Sequence, residues 1–227
     1  MKKLNDTGFT LIELLISIAI ASIMGSLIAS SFWQQQRSHN RQLEASAVQQ
    51  NLRASMYVAG REIRLAGYEP HSIRGSNLTA ITDAQSNTLT FSYEAAWDGT
   101  DNDNDGDTDE PGELETVTYS LYDAYSDGDT DLGRDSGTQT ALAENIDGLE
   151  FYYTLDDGTR TVSPTADQIE DIRAIQMTIL ARTENPFQGN PATNETFTGP
   201  GGTSLGTYND SYRRLMLSTN IICRNAG

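Results

Sequence analysis

Residues 8–32 read GFTLIELLISIAIASIMGSLIASSF, an apolar run of membrane-spanning length with one acid, Glu13, near its head. A helix crosses a bilayer core with about 20 apolar residues, and from Leu14 to Phe32 this run carries no charge. Its interruptions are Ser17, Ser22, Gly25, Ser26, Ser30 and Ser31, small residues that lipid-facing and helix-facing positions tolerate. A carboxylate in such a segment costs roughly 2.5–3.5 kcal/mol on insertion scales unless it is partnered. Glu13 therefore needs a partner from elsewhere. Lys2 and Lys3 precede the run and most of the acids follow it, which places the N-terminus in the cytoplasm. A secretory signal has its small cleavage residue after the apolar segment; here the small residue, Gly8, comes before it.

Gly8-Phe9-Thr10-Leu11-Ile12-Glu13 resembles the leader junction of type IV prepilins almost letter for letter. The resemblance implies cleavage after Gly8 by an inner-membrane prepilin peptidase and N-methylation of Phe9. It also implies a role for Glu13 in neutralising the new amine of a neighbouring subunit during assembly. The expected organisation is a leader over 1–8, a transmembrane and filament-core helix over 9–32, its amphipathic continuation over 33–67, and a β-rich periplasmic domain over 68–227.

A chain of 227 residues has room for that helix and one globular domain of roughly 150 residues with a real core. Its net charge of −17 disfavours nucleic acid and anionic lipid as partners and suits divalent cations. The single cysteine, Cys223, rules out an intrachain disulfide, whereas many major pilins carry a C-terminal disulfide loop. Major pilins also usually have a proline where this chain has Ser30, so a straighter helix is expected.

Beyond Phe32 the helical period persists. Val48, Leu52, Met56, Ala59, Ile63 and Ala66 recur every three or four residues, with Gln49, Arg53, Arg61 and Arg64 on other faces, the signature of an amphipathic helix. The helix is predicted from about Phe9 to Leu65, stopping near Gly67 with Pro70 just beyond. Strands are predicted at Thr88–Tyr93, Thr116–Tyr122, Leu149–Leu155, Ile172–Arg182 and Tyr212–Cys223 from their alternation, with Ile172–Arg182 buried on both faces. The fold class is α+β: a long N-terminal helix packed on one mainly antiparallel sheet of four to six strands, type IV pilin-like. The segments Gly60–Tyr68, Asn145–Tyr153, Ile172–Ile175 and the close on Arg224-Asn225 are similar to PilW-type minor pilins, and also to pseudopilin J of type II secretion.

A second chemical signal lies in residues 98–113, where Asp101, Asp103 and Asp105 alternate ahead of Gly106. This is the first half of a calcium loop, in which the acids converge on the ion and the glycine permits the sharp turn. Asp107, Asp109 or Glu110 would complete the shell, since the position of the bidentate EF-hand glutamate is Gly112. The expected cofactor is one Ca²⁺ held weakly, at roughly 10⁻⁴–10⁻³ M. Asp123–Asp135 alternates similarly but has Leu132 in place of the glycine and reads as a solvated loop. Residues 199–206, GPGGTSLG, lack a following helix signal and read as a flexible loop, not a phosphate cradle. His39 and His71 have no Cys or His companions at metal spacing, and neither a nucleophile elbow nor a P-loop occurs.

The expected function is non-enzymatic: a minor pilin that joins minor and major pilins through their N-terminal helices at or near a filament tip. Before assembly the inner membrane would hold it. The alternatives are a tip pseudopilin of type II secretion and, from another class, a membrane-anchored calcium-dependent adhesin.

Overall fold

The structure, a computed structural model, describes residues 10–70, 78–95, 99, 101, 106–108, 113–187 and 192–225. One helix, α1, runs unbroken from Leu11 to Ile63, through Ser30. It crosses the boundary between two compact units, which meet between Glu44 and Ala45. In the first unit the large apolar side chains of the helix, from Leu11 to Leu43, are exposed. In the second, Leu52, Ala59, Ile63 and the following Ala66 are fully buried, Met56 is nearly so, and Val48 packs at the edge of the core. The predicted stripe is the helix's contribution to that core.

The α-helix ends two residues earlier than predicted because its last turn tightens. Leu65 N–H bonds Glu62 C=O at 2.8 Å and Ala66 N–H bonds Ile63 C=O at 3.2 Å, three residues back instead of four, a common way to satisfy the final carbonyls. Gly67 then takes φ +75° and donates to Ser92 C=O. A Cβ there would lie 2.4 Å from Asn225 O, so both backbone angle and space require glycine.

Among the described residues eleven strands follow: β1 (Ile81–Ala84), β2 (Leu89–Glu94), β3 (Leu114–Tyr122), β4 (Asp131–Asp135), β5 (Gln139–Ala143), β6 (Ile146–Leu155), β7 (Arg160–Thr161), β8 (Ile172–Arg182), β9 (Thr193–Thr198), β10 (Ser204–Asp210) and β11 (Arg214–Ile222). All pairings are antiparallel. The five predicted strands appear as β2, β3, β6, β8 and β11, but the single sheet becomes three: β1-β2-β3-β4-β5, β11-β8-β6-β7 and β10-β9. The core gathers the helix stripe with Phe91 and Tyr119 of the first sheet and Phe151, Ile175, Met177 and Ile221 of the second.

The third sheet explains why β8 is buried on both faces. Leu205 of β10 sits over Gly148 of β6, where a Cβ would lie 3.0 Å from it, and Leu205 and Leu180 are both buried outside the main core cluster. Residues 199–206 are accordingly not a flexible loop. They form the turn and start of a hairpin whose Gly201 and Thr203 N–H groups donate to the Glu150 carboxylate at 3.0 and 3.1 Å. Glu150 is fully buried, and a Cβ on Gly199 would fall 2.3 Å from its Oε2. The glycines thus let backbone close on an anion that the chain itself supplies.

Candidate functional site

The sequence points first to the helix head. Gly8 and Phe9 lie outside the described residues. Glu13 is in the first turn of α1, where its Oε2 accepts the Thr10 backbone N–H at 2.9 Å and the Thr10 hydroxyl at 2.8 Å. Glu13 N–H in turn approaches Thr10 Oγ1 at 3.4 Å. This is a capping box, satisfying two helix-end donors reciprocally. Its signature, threonine three residues before glutamate at the start of an apolar run, is legible in Thr10-Leu11-Ile12-Glu13 but is obscured by the more conspicuous cleavage pattern. Both residues remain exposed.

Behind Glu13 the large apolar side chains are uncovered on all sides, from Leu11 at 78% exposure through Leu27 at 61% to Trp33 at 63%. The helix is long and apolar enough to cross a membrane by length and composition. Its serines do not contradict this. The hydroxyls of Ser17, Ser22, Ser26 and Ser30 donate to the carbonyls of Glu13, Ile18, Ile23 and Leu27 at 2.7–2.8 Å, so their polar atoms are satisfied within the helix. Trp33, edge-on to Phe32, ends the apolar run just before Gln34-Gln35-Gln36, where an aromatic anchor at the membrane boundary belongs.

The acidic loop is described only in part. Asp103, Asp105, Asp109 and Glu110 lie outside the described residues. Asp101 Oδ2 accepts the Gly106 N–H at 3.1 Å, and Gly106 has φ +106°. Asp101 Oδ1 is buried and has no hydrogen-bond partner among the described residues. Asp107 is exposed, and no cluster of three or more His, Cys, Asp or Glu is gathered for a metal among the described residues.

The second acidic segment is not one solvated loop. Its end is strand β4, and Asp131 is buried, accepting Ala124 N–H at 3.0 Å and Asn145 N–H at 3.1 Å. Asp123 accepts from Asp127 and Gly128 N–H, and Asp129 pairs with Arg182 at 2.6 Å. These carboxylates are occupied in holding the turn. Arg182 also lies beside Asp147, which Arg214 bonds at 2.6 Å. Burial raises the Asp147 carboxyl above its usual range despite Arg214 and Arg182, while the Arg214 hydrogen bonds hold Asp210 below it.

Sequence reasoning missed a polar cluster at the end of α1. Arg134 of β4 donates Nε to Glu62 at 3.0 Å, Nη2 to Glu115 at 2.7 Å and Nη1 to Ser136 at 2.6 Å. Tyr119 donates its hydroxyl to Glu62 at 2.6 Å, and Tyr93 donates to Glu115. Burial first, and the neighbouring carboxylates second, push both tyrosines up; hydrogen bonds to Glu115 and Glu62 outweigh burial and keep Arg134 charged. The available signal was Glu62 itself, an acid three residues after Ala59 and four before Ala66, beside the buried stripe.

Comparison with known proteins places two matches on this frame. Residues 3–29 match the prokaryotic N-terminal methylation motif, and residues 99–225 match the family described as type IV pilus-assembly protein W. Among solved structures, a type IV-like pilin from Thermus thermophilus aligns at 16% identity and a TM-score of 0.47, over 78% of this chain and 97% of its own. No curated protein matches.

Proposed function

The chain belongs to the family of type IV pilus-assembly protein W, and from that premise we propose that it acts as a non-enzymatic, initiating subunit at or near a filament tip. It is a minor pilin of a type IV pilus, anchored in the inner membrane as a prepilin and later carried in the pilus with other pilins. The observation that carries the proposal is the uncovered apolar helix headed by Glu13. Such a helix leaves lipid only by packing against others like it, and head-to-tail packing that does not close grows a filament. In the waiting subunit Thr10 satisfies Glu13. On assembly the Phe9 amine of a neighbour, freed by cleavage after Gly8, replaces it and sets the axial register, because a buried charge left unpaired is costly. Ser30 in place of proline and the single cysteine support a minor subunit over a bulk one.

The Glu13→Ala variant is expected to be processed and inserted normally but to be lost from pili. Mass spectrometry of the mature N-terminus should read N-methylated Phe9. An intact Met1, or normal pilus initiation by the variant, refutes the reading.

We propose further that the loop of residues 98–113 holds one calcium ion, with Asp101, Asp103, Asp105, Asp107, Asp109 and Glu110 as the available ligands. The Asp101–Gly106 bond and the unpartnered Asp101 Oδ1 support it. A tenfold excess of calcium over its Kd should stabilise the protein by about 1.4 kcal/mol. Asp101→Asn should abolish that gain, and a wild-type Tm indifferent to millimolar calcium counts against the site.

A further inference from the structure

Three of the outer strands of the two larger sheets are short: β1 has 4 residues, β5 has 5 and β7 has 2. The fourth, β11, has 9. Its ladder to β8 is continuous from Arg214 to Ile222. The flanking bonds Thr183 N–H to Arg213 C=O and Cys223 N–H to Arg173 C=O fix which residues face β8. By antiparallel alternation, Leu215, Leu217, Thr219 and Ile221 turn their backbone groups inward to β8, and Met216, Ser218, Asn220 and Ile222 turn theirs outward. Those outward groups have no partner among the described residues. Natural edges are kept short, charged or covered because an open row of N–H and C=O groups is a template for another strand. Here the edge is long, and two of its outward residues, Met216 at 41% and Ile222 at 62% exposure, are apolar.

Beside this edge runs a cleft of about 340 Å³ between Leu217, Ser218 and Thr219 and the helix face of Arg53, Tyr57 and Arg64. The two elements touch where Gly60 faces Ile221. Arg53 and Arg64 are exposed and have no ion pair among the described residues, although the chain carries 32 acids against 15 Lys and Arg. Tyr57 is 70% exposed. An open strand edge flanked by two unneutralised arginines specifies its occupant in unusual detail.

We propose that this cleft receives an extended acidic segment of a different neighbouring subunit, which adds to β11 as a further strand. Backbone bonds to Met216, Ser218, Asn220 and Ile222 hold it, as in β-augmentation generally. Side chains of a strand alternate between faces, and Ile221 faces α1. The incoming face on that side therefore carries Asp or Glu toward Arg53 and Arg64, and the opposite face carries apolar residues beside Met216 and Ile222. A second copy paired edge to edge is disfavoured, because an isologous contact sets the same arginines of both copies together. The proposal rests on the chain working among other subunits, but its test does not require a filament.

The full chain in detergent is titrated, by fluorescence anisotropy, with a labelled peptide as long as β11 that alternates Glu and Val, and with its Lys-for-Glu counterpart. The acidic peptide is expected to bind and the basic one not. Double reversal, Arg53→Glu with Arg64→Glu, should weaken binding by about tenfold or more, equivalent to 1.4 kcal/mol. Asn220→Pro, which removes one outward N–H at an edge position that accepts proline, should weaken it as well. Both arginines are exposed, so the reversal stays informative even if the proline variant unfolds. Glu13→Ala should bind the peptide like wild type, which separates failure here from failure of the filament reading. Equal binding of both peptides, no binding at millimolar peptide, or a homodimer abolished by Asn220→Pro overturns the proposal.

Discussion

Two acids on one helix meet opposite fates. Glu13 heads the part of α1 in the first unit, where the partner of its carboxylate among the described residues is Thr10, three residues away, and the large apolar side chains around it are exposed. Glu62 closes the part in the second unit, where Arg134 and Tyr119 from two strands hold it beside a buried stripe. Among the described residues Glu62 has long-range partners and Glu13 has its local cap alone. A charge held by a local cap alone is free to exchange that cap for the neighbour's amine proposed above, whereas a charge matched by long-range partners is committed to its own fold.

Leucine truncation breaks this comparison most sharply. Leu52 is fully buried, and Leu52→Ala should cost about 3 kcal/mol through lost transfer and the cavity left behind, seen as a Tm lower by several degrees. Leu27 is 61% exposed, and Leu27→Ala in the monomer should change stability by less than about 0.5 kcal/mol. Equal losses at the two positions would show that the first unit has a packing partner within the subunit.

Arg134 comes next. Replacing it by alanine leaves Glu62 and Glu115 facing one another with their cation removed. Breaking a buried pair in this way costs about 3–5 kcal/mol, but these side chains keep 16–21% exposure, so about 2 kcal/mol is expected from denaturant unfolding. Arg134→Ala combined with Glu62→Gln should recover part of the loss. No recovery would mean that the arginine acts through packing alone.

The same comparison explains what could be read from the sequence. Phe9–Phe32 is decided by composition, because lipid or other helices must cover an apolar helix whatever the domain does. The helix stripe and strands β2, β3, β6, β8 and β11 were legible because each alternates over enough residues to declare a face. Strands β4, β9 and β10 were not. Asp131-Leu132-Gly133-Arg134-Asp135 is polar and short, and Thr193–Thr198 is nearly all polar; neither shows a face by itself, and each becomes a strand by pairing with its chain neighbours, β4 with β3 and β5 and β9 with β10. The glycine-rich turn looked loose because the buried anion it wraps, Glu150, lies about fifty residues earlier. At the site, cleavage glycine, Phe9 and Glu13 are a local pattern, whereas the Arg134 cluster joins Glu62 to Tyr119 and Arg134, 57 and 72 residues away, which no spacing rule connects.

The smallest effect sharpens the comparison by pH. From Leu14 to Gln36 no residue is charged, so an alkaline response of stability must come from the folded domain. There Cys223 is 3% exposed, and burial pushes its thiol from an ordinary 9.0 up to about 12. The unfolded thiol releases its proton at the lower value and the folded one keeps it. Between the two the native state binds more protons, and stability falls as pH rises. The contribution is fully present below pH 9, and about 1.4 kcal/mol of it is gone by pH 10, one unit's worth of ionisation in the unfolded chain. Burial also raises the hydroxyls of Tyr93, Tyr119 and Tyr153 above their ordinary 10.0, so they add to the fall only at higher pH. Cys223→Ala should therefore flatten the stability profile between pH 9 and 10 and leave the steeper loss above it. A profile unchanged by the substitution would mean that the thiol is reached by water in the native state, and a folded protein that reacts readily with a thiol reagent at pH 8 would say the same.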